Sequence, residues 1–467
     1  MDLLAGLHAI VGDRGLLTGA DTATFATDWR GLYRGRPVCV VRPASTGEMA
    51  RVVALCAGSG IAMVPQGGNT SMVGGATPSE DGTQVVISTA RLTAVRALDP
   101  LDLTMTVEAG VTLKAAQDAA RDAGALLPLS ISAEGSAQVG GILATNAGGN
   151  NTVRHGNARD LILGLEVVLP DGRVWNGLRR LRKDNTGYAL RHLFAGSEGT
   201  LGIITAAVLR LVPAPGETAV ALCALPSVDA VLALYAAARA HDAGGLQAFE
   251  YMSGASMDMV LGHIGGASLP LAAHAHHYAL IETSSGRADA GLRAGFEALL
   301  GAALDAGTIT DAVVAESQSQ RLALWKLREE HAEAQKRAGA SVKNDVSVPV
   351  SRIPALLARA EPACIALVPG IRVAPFGHIG DGNIHLNLVQ PVGADGPAFL
   401  AHSEDLMDAV NAIVRDLDGS FSAEHGIGRL KAGMLADWRG GVEIETMRAI
   451  KRALDPLGLM NPGKMFA

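Results

Sequence analysis

Thr145-Asn146-Ala147-Gly148-Gly149 sets two adjacent glycines behind a threonine and an asparagine. It is one of four such loops between residues 65 and 205. Upstream lies Pro65-Gln66-Gly67-Gly68-Asn69-Thr70-Ser71, running on to Gly74-Gly75. A second loop spans residues 136–141 and carries Ser136, Gly140 and Gly141. Downstream, Gly196-Ser197-Glu198-Gly199-Thr200-Leu201-Gly202 leads into Ile203-Ile204-Thr205. Each loop puts glycine beside a small hydroxyl or amide side chain. Backbone N–H groups can then converge on an anion without fixed cations, which is the chemistry of holding a pyrophosphate. Any one of these loops reads as a turn, but four in one region do not. No G-x-x-x-x-G-K-[ST] is present, so a P-loop is excluded. No G-x-G-x-x-G follows a strand where a Rossmann site needs it.

Composition supports backbone passing close to a ligand. Glycine accounts for 56 of 467 residues, while hydrophobic residues reach 48 %. That apolar content builds large cores and excludes disorder, and the absence of a G-x-y period excludes collagen. The net charge is −7, and the one dense basic run, Arg179 to Lys183, lacks interleaved aromatics. It reads as a solvated loop, and nucleic acid is not expected as a partner. The four cysteines form no C-x-x-C pair and read as buried thiols of a reducing compartment. The N-terminus lacks a basic n-region and reads as a short helix. Pro226, Ser227 and Asp229 interrupt the most apolar stretch, Ala219 to Ala238, so no membrane span is expected. The expected location is cytoplasmic, with peripheral membrane association left open.

The remaining pattern gives an α+β chain. Val38 to Val41 reads as a strand, and Ser45-x-x-Glu48 as a capping box opening a helix to about Ala57. Leu161 to Leu169 reads as a buried strand turning at Asp171-Gly172 into Val174-Trp175. Ile203 to Val212 is another strand, stopped by Pro213-Ala214-Pro215. Helices are expected over Ser227 to Ala240, Ala288 to Leu304 and Arg321 to Ala338. The division expected is 1–215 (core 36–215), 216–430 and 431–467.

A second cluster reads Gly377-His378-Ile379-Gly380-Asp381-Gly382-Asn383-Ile384-His385, with Glu424-His425-Gly426 further on. Strand periodicity puts His385 and Asn387 on one face, and the glycine turn lets His378 fold back toward His385. Two imidazoles and a carboxylate, His378, His385 and Glu424, suit a divalent metal with an open position. Zinc is the first choice, with iron or manganese open. His425 suits a general base because histidine titrates near neutrality. Asp381 reads as a turn residue. Arg328 shares a helix stripe with Leu324 and Trp325 and should point inward, toward a ligand or a carboxylate of the protein itself.

The glycine loops together resemble the FAD domain of the vanillyl-alcohol oxidase/p-cresol methylhydroxylase superfamily. The later cluster resembles the C-terminal domain of its FAD-linked D-2-hydroxyacid dehydrogenases, the D-2-hydroxyglutarate and D-lactate dehydrogenase group. The resemblance implies a two-lobed p-cresol methylhydroxylase-type FAD domain and an α+β substrate (cap) domain. The closing N-P-G-K-M-F, from Asn461, would return to the FAD domain. It implies that Pro65, Gly67 to Ser71, Gly74, Gly75, Ser136, Gly140, Gly141, Thr145, Asn146, Gly148 and Gly149 hold FAD. Glu198, Gly199, Gly202, Ile203, Ile204 and Asn461 are implied beside it. The first loop carries no His or Cys, so the FAD is expected to be non-covalent. The metal set His378, His385 and Glu424 and the base His425 all match the family positions. The family's substrate contacts fall on Arg328 and Lys343, and Asn387 is added from the strand face. One departure is Ala332, where relatives often carry a hydroxyl.

The expected activity is metal-assisted oxidation of a small D-2-hydroxy acid, D-2-hydroxyglutarate or D-lactate, to the 2-oxo acid with hydride passing to flavin N5. The acceptor would be electron-transfer flavoprotein, quinone or cytochrome, and a homodimer is admitted. Two other readings stand beside it: a carbohydrate or alcohol oxidase on the same fold, and a glycolate-oxidase-type flavin subunit of a larger complex.

Overall fold

The computed structural model describes residues 2–242, 244–288 and 291–466. It divides into two compact units: Met1–Gly148, Gly156–Ala214 and Glu424–Ala467 form unit 1, and Gly149–His155 with Pro215–Ala423 form unit 2. The division is not linear in sequence. The segment Gly149–His155 belongs to unit 2 because its side chains are engaged there. Arg154 Nη1 donates to Gln247 Oε1 at 2.9 Å and Ser284 Oγ at 2.5 Å. Val153 lies so close to Gly380 that a β-carbon there would meet it at 2.6 Å. The return to unit 1 comes at Glu424, inside the segment expected as 216–430.

Unit 1 holds a four-stranded sheet in the order Leu16–Leu17, Cys39–Val41, Val85–Ser88, Met63–Gln66. The last three are parallel and almost wholly buried, which is why they read as unbroken apolar runs. Helix Thr46–Gly58 covers this sheet through Met49, Val52, Val53 and Cys56. Ser45 Oγ caps it by accepting the Glu48 N–H at 3.1 Å, while Glu48 reaches back to the Ala44 N–H, one residue earlier than expected. A five-stranded antiparallel sheet follows the order Val95–Asp99, Thr104–Glu108, Ile203–Arg210, Ile162–Val168, Val174–Gly177. Its core takes in Leu113, Ala116 and Ala120 of helix Leu113–Asp122, with Val139, Ile142 and Leu143 of helix Val139–Thr145.

The chain's end completes the parallel sheet. Met460 bridges Met63 in parallel, with Met63 N donating to Leu459 O at 2.8 Å and Asn461 N to Met63 O at 2.7 Å. Lys451 Nζ fastens this tail, donating to Thr200 O at 2.7 Å and Met460 O at 2.8 Å.

Unit 2 is built on an eight-stranded antiparallel sheet. Its order is Asp311–Val314, Glu217–Leu225, His277–Ser285, Leu246–Ser253, Arg372–Gly377, Asn383–Val389, Ser341–Val342, with Asp345–Ser347 also paired to Asn383–Val389. The helix expected over 321–338 is two helices, Gln318–Glu329 and His331–Ala338. They part at Glu330, whose ψ of 1° leaves the helical well.

The basic run behaves as a solvated loop, with Arg179 and Arg180 in surface ion pairs to Asp184 and Asp99. All four cysteines are buried free thiols, and burial pushes Cys223 up to about 12. Among the described residues no helix is long and apolar enough to cross a membrane.

Candidate active site

In unit 1 the first two glycine loops interlock. A β-carbon on Gly68 would fall 1.9 Å from the Ser136 carbonyl oxygen, so only glycine permits the approach. Gln66 anchors the strand end by donating through Nε2 to Phe25 O (3.0 Å) and Ala76 O (2.8 Å). Asn69 turns through the left-handed region at φ 54° and is held by its Nδ2 donating to Thr27 O at 2.9 Å. Ser71 Oγ accepts the Val73 and Gly75 N–H groups at 3.4 Å each.

The other two loops dock on the short helix Val139–Thr145. Gly196 N donates to Leu143 O at 3.0 Å, and Glu198 N to Ala144 O at 2.8 Å. Glu198 also holds the returning C-terminal segment, its carboxylate accepting the Ile427 N–H at 2.7 Å and the Gly428 N–H at 2.6 Å. Burial raises the Glu198 carboxyl above the usual range despite those two donors. Asn461 Nδ2 ties Gly75 O (3.0 Å) to Glu198 O (2.8 Å). Gly199 passes Pro65 closely, and Gly202 passes Val167. Ile203 and Ile204 are buried at the start of their strand.

Several implied cofactor residues therefore frame the loops with their polar groups. Gly140 N donates to Ala109 O at 2.8 Å, and Thr145 Oγ1 donates to Gly141 O at 3.0 Å within its own helix. Asn146 Oδ1 accepts the Arg159 N–H at 2.9 Å. Gly149 lies in unit 2, while Gly148 stays in unit 1, where a β-carbon would stand 3.0 Å from Glu424 Oε2.

Two observations fit a bound dinucleotide. Outside its own helix and chain neighbours, no atom lies within 4 Å of where a Gly141 β-carbon would stand, although Gly68 nearby is tightly packed. Asn461 Oδ1 is buried with no hydrogen-bond partner. We expect Gly68→Ala to shift the loop against Ser136, which costs about 1–3 kcal/mol by overpacking. Its thermal midpoint should fall even without cofactor. Gly141→Ala should leave that midpoint unchanged and weaken FAD binding. Thermal melts and flavin titration of the two apoproteins read this out, and equal melts for both would refute it.

In unit 2 the decisive group is one that the sequence did not single out. Glu250, on strand Leu246–Ser253, is fully buried and grips two of the candidate residues. Arg328 Nε donates to Glu250 Oε2 at 2.7 Å, and His378 Nδ1 lies 2.8 Å from Glu250 Oε1. Burial pushes the Glu250 carboxyl up, but His378 and Arg328 together outweigh it and hold the group below its ordinary range. Glu250 engages Nδ1 of the His378 ring and so orients it. Arg328 Nη2 stands 3.5 Å from His378 Nε2, and its guanidinium lies over the Phe376 ring at 5.1 Å. Arg328 points inward as expected, and its counter-ion is a carboxylate of the protein itself.

The glycine turn does bring the histidines together: the His378 and His385 rings meet edge-on at 5.6 Å. Gly377 and Gly382 make this turn at φ 152° and 89°, and Asp381 Oδ1 accepts the Asn383 N–H at 3.0 Å. Asp345, also missed in the sequence, lies 3.7 Å from His385 Nδ1 and accepts Asn383 Nδ2 at 3.0 Å. Imidazoles backed by carboxylates are donor types that a divalent metal takes.

Asn387 shares the strand with His385, but its Nδ2 donates to Gln335 Oε1 at 2.7 Å. Gln335 in turn donates to Ser256 Oγ and Ala374 O at 3.0 Å each. Lys343 is half-buried between two short strands, and Ala332 is exposed at the start of helix His331–Ala338. In unit 1, His425 Nε2 lies 4.0 Å from Glu424 Oε1, both half-buried.

Residues 37–177 match the family described as FAD binding domain, and residues 214–465 that described as FAD linked oxidases, C-terminal domain. The chain is similar to D-2-hydroxyglutarate dehydrogenase of Xanthomonas citri pv. viticola, 38 % identical over 96 % of this chain and 93 % of that one. It is 37 % identical to the mitochondrial D-2-hydroxyglutarate dehydrogenase of Bos taurus, over 100 % of this chain and 83 % of the relative. Among solved structures, p-cresol methylhydroxylase with substrate bound has a TM-score of 0.77 at 15 % identity, covering 99 % of this chain and 96 % of its own. A 4-ethylphenol oxidase from Gulosibacter chungangensis has a TM-score of 0.72 at 18 % identity, over 100 % and 96 %. These structural likenesses concern the fold alone.

Proposed function

The chain belongs to the FAD-linked oxidases, and from that premise we propose that it oxidises D-2-hydroxyglutarate to the 2-oxo acid with non-covalently bound FAD. The observation that carries this reading is the pair of imidazoles, His378 and His385, held edge-on beside the buried Arg328–Glu250 pair. An anionic hydroxy acid needs a cation for its carboxylate and a polarising group for its hydroxyl, and these residues supply both kinds of chemistry. FAD, when bound, would supply the hydride acceptor, with electron-transfer flavoprotein, quinone or cytochrome as the acceptor class beyond it. A divalent metal, when bound by His378, His385 and Glu424, supplies Lewis acidity to the 2-hydroxyl, and zinc suits that nitrogen-rich set.

The chain's own residues do the rest. His425 removes the hydroxyl proton. Arg328 keeps its Nε on Glu250 and offers its outer N–H groups to one carboxylate of the substrate, and Lys343 meets the second. Glu250 fixes the tautomer of His378. Asn387 steadies the strand under His385 through Gln335.

The test is anaerobic bleaching of the flavin by a panel of D- and L-lactate, glycolate, D-malate and D-2-hydroxyglutarate. D-2-hydroxyglutarate should bleach it fastest. Treatment with a chelator should abolish bleaching and leave the yellow colour. Bleaching only by an alcohol or a sugar, with rapid reoxidation in air, would place the chain among the oxidases instead. Full activity in a metal-free preparation would remove the metal from the reading.

A further inference from the structure

Lys464 is the odd residue of unit 1. It is 4 % exposed, and among the described residues no carboxylate pairs with it. Burial, and then the neighbouring Arg429, bring its ammonium down to about 8. The backbone segments that carry the two cations are tied together, because Met465 N donates to Gly428 O at 3.0 Å. Arg429 in turn donates its N–H to Val73 O at 2.9 Å and lays its guanidinium over Tyr33 at 4.8 Å. Arg429 therefore sits against the first glycine loop at Val73. The buried carboxylate of that neighbourhood, Glu198, is engaged by the Ile427 and Gly428 N–H groups.

The same tail carries a buried acceptor with no hydrogen-bond partner, Asn461 Oδ1. Asn461 is pinned through its other amide atom to Gly75 O and Glu198 O. A buried ammonium without a counter-ion, next to another cation, is costly for the apoprotein. A fold keeps such a group where an anion arrives to meet it.

We propose that Lys464 is a cofactor-binding residue that pairs with an anionic group of bound FAD. This deepens the FAD reading above and rests on it. Two parts of the cofactor carry that chemistry: the pyrophosphate, and the N1 edge of the ring once it is reduced. Arg429 shares the site as the outer cation, shielded by Tyr33.

The experiment uses the full chain with Lys464→Met and Lys464→Arg, each stripped of flavin. Three quantities are measured: the apoprotein thermal midpoint, the FAD dissociation constant by fluorescence quenching, and the flavin midpoint potential. The Met variant should melt no lower than wild type as apoprotein, because an uncompensated charge has been removed. It should bind FAD at least tenfold more weakly or show a lowered midpoint potential, and the Arg variant should recover most of either loss. Weaker binding at unchanged potential, with riboflavin binding unaffected, assigns the pyrophosphate. A lowered potential assigns the ring.

A Met variant that melts lower, or fails to fold, while FAD affinity or potential cannot be shown to change would overturn the proposal. A cation that the apoprotein needs is structural. So would FAD affinity within twofold of wild type together with an unchanged midpoint potential. Wild-type apoprotein that takes up no FAD would sink the FAD reading itself, a separate outcome.

Discussion

His425→Ala keeps its FAD and loses flavin reduction by D-2-hydroxyglutarate about a thousandfold, the middle of the range for removing a positioned general base. The proton on the 2-hydroxyl has to leave as C2 becomes a carbonyl, and the imidazole is the group assigned to take it. The loss should fall on the rate of reduction and not on substrate affinity, because His425 holds no carboxylate. Stopped-flow anaerobic mixing separates the two. Flavin reduction within a few-fold of wild type would dismiss His425 as the base. Metal content measured on the same sample keeps this result apart from a loss of Glu424, whose carboxylate is 4.0 Å from the ring.

Glu250→Ala should destabilise unit 2 by about 3–5 kcal/mol, the effect of stranding one partner of a buried ion pair. Arg328 is left buried with its Nε unmatched, and His378 loses the group that fixes its ring. Glu250→Gln keeps the volume and one acceptor, so it should fold better than the alanine variant. It should still weaken metal retention about 10–100-fold, the usual effect of removing a carboxylate behind a ligating histidine. The sign with pH follows from the shift. The folded carboxyl lies below its ordinary range, so its stabilisation is present at neutral pH and lost as pH falls through the folded value. Denaturant unfolding at pH 7 and in acid should show the variant and wild type converging at low pH. Equal stability of the two at pH 7 would remove Glu250 from this role.

The loops, the tail and the histidine pair were legible because each is local. Gly67-Gly68 and Gly377 to His385 reveal their turns through glycine, and Ser45-x-x-Glu48 announces its own helix start. Glu250 was not legible. It sits in the buried strand Leu246–Ser253, 78 residues from Arg328 and 128 from His378. Their meeting depends on a strand register, Tyr251 opposite Gly377, that no short motif encodes. Lys464 was read as one letter of a tail motif, and only the structure shows that it is buried with no carboxylate paired to it among the described residues. The break at Glu330 escaped because the apolar stripe runs through it. The allegiance of Gly149–His155 escaped because it rests on Arg154 and Val153, whose partners come far later in the chain.

The strip of chain around Met460 that lies along Met63 also sets an order of events. Strand Met63–Gln66 is the edge of its sheet until Leu459 to Asn461 arrive, and all of residues 215–423 must be synthesised first. Gln66 and Leu459 are about 390 residues apart, so at roughly 5–20 residues per second the nascent edge stays open for about 20–80 s. An open edge of buried-type residues is a template for unwanted pairing until that segment covers it. Until then Met63 lacks the backbone partners that Leu459 and Asn461 supply.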